Sequence, residues 1–198
     1  MKHSVRGFSV IELIVMMLVI AVVASVALPR ALKPSPEQQV DAAARTLMRD
    51  LEQMRMRAIA AKRSIRVRFY PSSDFYTAFM DITPERLGTI VETSAEVRES
   101  GLLTRGSREG VLGVPLPTGV VFGVGSATTG PLGGGVSDAV LLEGDAVEFD
   151  ARGMVKPPGS EGVVFVTFEE SPRAVAAVTI SGASAFRAYR YRGGRWIQ

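Results

Sequence analysis

The chain has 198 residues, 46% apolar and 22% charged, with 20 Gly, 11 Pro, one His, no Cys and a net charge of +3. That length allows one ordinary domain plus an appended element, and the apolar content is sufficient for a core, which excludes a disordered chain. Zero Cys excludes a disulfide scaffold, a thiol nucleophile and a Cys-ligated zinc, a single His excludes a His-pair metal site, and +3 is too small to argue alone for nucleic acid.

The first element is an apolar run over residues 8–28, ended by Pro29. About 21 residues of helix span roughly 30 Å, the thickness of a bilayer core. Lys2, His3 and Arg6 precede the run, and Pro29, Arg30 and Lys33 follow it. A short basic N-terminus stays cytoplasmic, which predicts a single pass through the bacterial inner membrane with the rest of the chain in the periplasm. Ser25-Val26-Ala27 would also pass as a signal cleavage site. Glu12 argues against a disposable signal, because a carboxylate at a bilayer centre costs about 2.5–3.5 kcal/mol and asks for a partner.

Gly7-Phe8-Ser9-Val10-Ile11-Glu12, after a basic leader and before a long apolar helix, resembles the processing site of type IV prepilins and type II secretion pseudopilins. The resemblance implies that a prepilin peptidase cuts between Gly7 and Phe8. It further implies methylation of the new Phe8 amine, and it makes Glu12 the fifth residue of the mature chain. The freed amine is then a cation beside apolar surface, and Glu12 of a neighbouring subunit can compensate it when helices bundle. The alternative is an uncleaved single-span protein that never polymerises.

Ser35-Pro36-Glu37-Gln38 reads as a helix start, with Ser at the N-cap and Pro at the first helical position. Val40, Ala44, Leu47, Leu51, Met54 and Ala58 then recur at spacings of three and four and define one apolar face. The membrane helix is therefore expected to continue, bent at Pro29 or broken near Pro34 and Pro36, into an amphipathic half. From Ile65 the pattern alternates through Ile65-Arg66-Val67-Arg68-Phe69-Tyr70, turns at Pro71-Ser72-Ser73-Asp74 and resumes over 75–81. Further strands are predicted at 89–92, 120–124, 146–149, 163–168, 174–180 and 186–191. The Gly/Ser/Thr-rich stretch 123–137 is predicted to be a mobile surface loop.

The fold class expected is therefore α+β: a long N-terminal helix, membrane half plus amphipathic half, packed on a mostly antiparallel β domain. The expected organisation is a cleaved leader at 1–7, a membrane and assembly helix at 8–34, and a periplasmic pilin-like domain at 35–198. The globular part resembles the GspH/FimT-like minor pilins. The carrying residues are Leu47, Leu51, Arg57, Ala58 and Ile59 before Val67-Arg68-Phe69, then Val147-Glu148-Phe149 with Gly153, and Val178-Thr179-Ile180-Ser181 with Gly182. That implies a minor subunit that helps form or cap a filament, with other pilin or pseudopilin subunits and a secreted cargo as partners. Major pseudopilins hold calcium through clustered C-terminal acids, whereas here no acid follows Glu170.

No catalytic constellation is apparent. His3 lies in the leader, and no Ser/Lys or paired-carboxylate arrangement replaces it. Gly125 to Gly130 has the glycines of a phosphate loop, but Pro131-Leu132 stands where Lys-Ser/Thr is needed. Glu143, Asp145, Glu148 and Asp150 lack the glycine and terminal Glu of a calcium loop and read as a solvated edge, so no metal or cofactor is expected. The basic residues are the remaining signal. Arg45, Arg49, Arg55, Arg57, Lys62, Arg63, Arg66 and Arg68 face only Asp50 and Glu52 in sequence. Arg187, Arg190, Arg192, Arg195 and Trp196 interleave with Tyr189 and Tyr191 at the C-terminal end. Arg with aromatic rings suits a nucleic-acid surface, and FimT-like pilins that take up DNA use a Gly-Arg-x-Arg type of element, which this segment does not reproduce. The competing reading is an edge strand whose arginines block edge-to-edge pairing. Loss of Lys2 and Arg6 with the leader lowers the net charge to about +1, so DNA affinity would have to come from local patches.

Overall fold

A computed structural model describes residues 9–31, 34–85, 88–102, 106–108 and 111–198. The chain forms two compact units, Met1–Ser35 and Pro36–Gln198. Helix α1, Val10–Ala31, occupies the first, and helix α2, Pro36–Ala61, opens the second. The interruption thus falls near Pro34 and Pro36, while Pro29 lies inside α1. The expected membrane span over residues 8–28 is not met: among the described residues no helix is long and apolar enough to cross a membrane.

After α2 come β1 (Ile65–Tyr70), β2 (Phe75–Met80), helix α3 (Ser94–Ser100), β3 (Gly106–Arg108), β4 (Val111–Pro115), β5 (Val120–Phe122) and β6 (Val140–Leu141). They are followed by β7 (Ala146–Phe149), β8 (Val155–Lys156), β9 (Gly162–Phe168), β10 (Ser171–Ile180), β11 (Phe186–Arg192) and β12 (Arg195–Ile197). One sheet runs β3-β4-β2-β1-β7-β8. The other runs β12-β11-β10-β9-β5, with β6 also on β9, and the paired strands are antiparallel.

Helix α2 joins the two sheets into one core. Its buried stripe is Val40, Ala43, Ala44, Leu47, Leu51, Met54 and Ala58, the face expected from the spacing plus Ala43. It meets Ile65, Val67 and Phe69 of β1, Val147 and Phe149 of β7, and Val164, Val166, Ala176, Val178 and Ile180 of β9 and β10. Each large apolar side chain removed from water there contributes about 1.5–3 kcal/mol. The period of two then points Arg66 and Arg68 away from this core. Gly153 is needed where the β7–β8 turn meets α2. Its φ is +77°, and a Cβ there would lie 2.7 Å from Ile59. Its carbonyl accepts from Arg55 Nε at 3.2 Å.

Three expectations give way to the packing. Residues 89–92 are not a strand: they lead into α3, capped by Thr93 and Glu96 in a reciprocal capping box. Segment and helix cover the outer face of β2, where Phe79 meets Ile90, Val97 and Leu112. That is why β2 is buried on both faces and shows no alternation. The stretch 123–137 is a surface loop as expected, but it is anchored rather than loose. It leaves β5 and returns to β6 along one edge of β9, and its Val124 and Val136 pack on Val163, Phe165 and Ala177. Backbone bonds tie it down, from Gly123 N to Phe165 O at 3.2 Å and from Ser126 N to Pro172 O at 2.8 Å. Finally, β11 is not an edge strand. β12 pairs with it and takes the edge through a two-residue turn, Gly193-Gly194, whose φ values of 57° and 78° suit glycine.

Asp81 organises the connection after β2. It is fully buried and accepts from Thr83 N at 2.8 Å, from the Thr83 hydroxyl and from Gly88 N at 2.7 Å. Burial pushes its pKa up, but the Thr83 and Gly88 hydrogen bonds and the nearby Arg63 outweigh it and hold the carboxyl below its ordinary value. A depressed folded-state pKa stabilises the fold above the unfolded pKa of about 3.9, and the gain is lost as pH falls through the folded value. Asp81→Asn is therefore expected to flatten the acid limb of a melting-temperature profile below about pH 4 and to lower the melting temperature at neutral pH. Unchanged melting at both pH values would show that this carboxylate does not hold the connection.

Candidate functional site

The residues assigned to processing and assembly sit at the head of α1. Gly7 and Phe8 lie outside the described residues. Glu12 is in the first helical turn, where its N–H donates to Ser9 O at 3.1 Å and its negative charge suits the positive end of the helix dipole. Apolar side chains of α1 are exposed all round: Val10 is 77% exposed, Met17 65% and Val23 60%. The 3.6-residue period distributes these residues over every face, so α1 offers apolar surface in all directions with one carboxylate near its start.

The basic run from Arg45 to Arg68 is compensated in part, at Arg63, Arg66 and Arg68. Arg66 donates from Nη1 to Glu92 at 3.1 Å and from Nη2 to Glu148 at 2.9 Å. Arg68 pairs with the same Glu92 at 2.6 Å, and Lys156 reaches Glu148 at 3.1 Å. Burial alone would lower the Arg66 pKa, but its bonds to Glu148 and Glu92 raise it above the ordinary arginine value. Arg63 is used by the backbone, donating from Nη1 to Asp81 O at 2.7 Å and to Thr83 O at 3.1 Å. The long separation of Glu92 and Glu148 from these arginines hid the compensation from a reading of neighbours along the chain.

The expected solvated acidic edge holds at Glu143, which is exposed, but is corrected at Glu148 and Asp150. Glu148 is held in the network with Arg66 and Lys156. Asp150 closes the β7–β8 turn by accepting from Arg152 N at 2.8 Å and Met154 N at 2.9 Å. Burial raises the Asp150 pKa, and these bonds with the Arg152 charge bring it below the usual range. Among the described residues no group of three or more acids or histidines is placed to hold a metal ion.

At the C-terminal end, strand geometry sorts the residues that the sequence interleaves. Ala188, Arg190 and Arg192 line a cleft beside Asp41 and Arg45 of α2. By the strand period and its pairing with Arg192, Arg195 lies on that same side. Trp196 lies on the other side, 4.9 Å from Tyr191 and 5.8 Å from Phe165 between ring centres. Arg187 and Tyr189 belong to that second face by the same alternation. The Trp196 indole also donates to Thr129 O at 2.8 Å, so this ring pins the 123–137 segment. The structure thus brings Arg190, Arg192 and Arg195 together and separates them from Trp196 and Arg187. A site that binds phosphates with arginine while stacking bases on rings needs both on one surface.

No protein-family model matches the chain, and no curated protein matches it. Among solved structures it is similar to the type IV minor pilin FimU of Pseudomonas aeruginosa, at 12% identity and a TM-score of 0.43 over 80% of this chain and 92% of that one. It is also similar to the minor pseudopilin EpsH from the type 2 secretion system of Vibrio cholerae, at 11% identity and a TM-score of 0.45 over 76% of this chain and 95% of that one.

Proposed function

We propose that the chain is a non-enzymatic minor pilin or pseudopilin subunit of the GspH/FimT-like kind, serving a type II secretion or type IV pilus assembly. In this reading a prepilin peptidase removes residues 1–7, and Phe8 is methylated. The apolar run over residues 8–28, which contains most of α1, holds the subunit in the inner membrane and then packs among the helices of a filament or its tip. The unit Pro36–Gln198 stands in the periplasm and meets other subunits or a secreted cargo.

The observation that supports this most is α1 itself, an apolar helix exposed on every side with a single carboxylate in its first turn. In water such a helix has no reason to stay dispersed. Lipid or neighbouring helices of the same kind would cover it. The motif Gly7-Phe8 with Glu12 supplies the reason the carboxylate is retained, since each Glu12 can meet the Phe8 amine of a neighbour.

N-terminal sequencing and intact mass of the protein from cells that carry a prepilin peptidase are the direct test. Phe8 is expected as the first residue, with the mass of one added methyl group, and deletion of the peptidase should restore Met1. A mature start at Leu28, or Met1 retained with the peptidase present, would remove the pilin reading in favour of a secretory signal or a plain anchor.

A further inference from the structure

Helix α2 and the β11–β12 edge enclose a small cleft of about 160 Å³, lined among others by Asp41, Arg45, Ala188, Arg190, Arg192 and Ile197. Its charges do not balance. Asp41 Oδ2 accepts from Arg45 Nε at 3.1 Å and from Arg190 Nη2 at 2.7 Å, so one carboxylate is shared by two guanidinium groups. Arg192 adds a third and has no ion-pair partner among the described residues. An oxygen anion in the cleft would compensate Arg192, in the fork geometry that guanidinium offers to carboxylates.

We propose that this cleft binds a carboxylate carried by an acidic segment of a partner protein. Charge complementarity is the first ground. The second is what the cleft lacks. The rings that would stack nucleic-acid bases, Tyr191 and Trp196, lie on the opposite face of the hairpin, in contact with each other and with Phe165. A cleft of about 160 Å³ admits one charged group rather than a tracked backbone. The proposal does not depend on filament assembly and holds for the protein in any oligomeric state.

The test is fluorescence anisotropy with the full-length protein in neutral detergent micelles and a labelled hexaglutamate peptide. Hexaglutamate is expected to bind, with the hexaglutamine peptide weaker by about tenfold or more. Arg192→Gln is the deciding variant, since Arg192 has no partner whose loss would disturb the fold. It should weaken hexaglutamate binding by about fivefold or more, as should Arg45→Gln. Asp41→Asn removes the competing internal carboxylate and should tighten binding by about twofold or more. Arg187→Gln, on the opposite face, should change it by less than about twofold. Three results overturn the proposal: equal affinity for the two peptides, including none for either; hexaglutamate binding indifferent to Arg192→Gln; or a labelled single-stranded oligonucleotide bound more tightly than hexaglutamate and released by Arg192→Gln, which would make the cleft a nucleic-acid site.

Discussion

Glu12→Ala is expected to leave the chain inserted in the membrane and cleaved after Gly7, yet to abolish its incorporation into filaments. In the proposed reading the apolar run at 8–28 is longer without the charge, and Gly7-Phe8 is untouched. In that reading the variant loses the partner of a neighbour's Phe8 amine. Removing one member of a buried ion pair costs about 3–5 kcal/mol, because the other charge is left among apolar helices. At the level of an association constant that is at least about a hundredfold. Cysteine crosslinking between subunits, compared at equal membrane levels, measures it. Glu12→Gln should fail nearly as badly, since an amide is a poor match for an ammonium ion. Crosslinking at the level of the unmodified protein would leave Glu12 without this role, whereas loss of cleavage would instead place it in peptidase recognition.

Leu51→Asp is expected to prevent folding of the unit Pro36–Gln198. Leu51 is 1% exposed in the middle of the α2 stripe that both sheets share. Truncating such a residue to alanine already costs about 2–5 kcal/mol, and a carboxylate there must also be desolvated or protonated. A domain of this size has about 5–15 kcal/mol of stability in total. Circular dichroism of the isolated unit should therefore show no cooperative melt. Arg49→Asp, two residues away on the exposed side of the same helix, should melt close to the unmodified domain. A normal melt for Leu51→Asp would mean that α2 does not join the sheets.

Segments whose pattern depends on one face were legible along the chain. The α2 stripe appeared at its spacing of three and four because one face of that helix packs and the other meets water. β1 was legible for the same reason, with Ile65, Val67 and Phe69 alternating against Arg66 and Arg68. α3 carried a signal that the expected strand at 89–92 passed over: Thr93 followed by Glu96 is a capping box, and it begins a helix. The strands β3, β4, β6, β8 and β12, of two to five residues, were not expected from the sequence.

The candidate sites divide along the same line. The roles proposed for Gly7-Phe8 and Glu12 rest on the order of residues, a short basic leader before an apolar run and a carboxylate at a set distance along it, so local sequence suffices to propose them. The basic segments act through what lies opposite them in space. Arg66 and Arg68 are paired with Glu92 and Glu148, and Arg190 shares Asp41 with Arg45 across a separation of 149 residues. The Arg–Tyr alternation that suggested one mixed surface is, in a strand, the pattern that sends arginines to one face and rings to the other. Charge, composition and helical period are properties of neighbours and are written in the chain. Compensation of a charge, and the face on which it ends, depend on long-range pairing, which exists only after the two sheets have closed on α2.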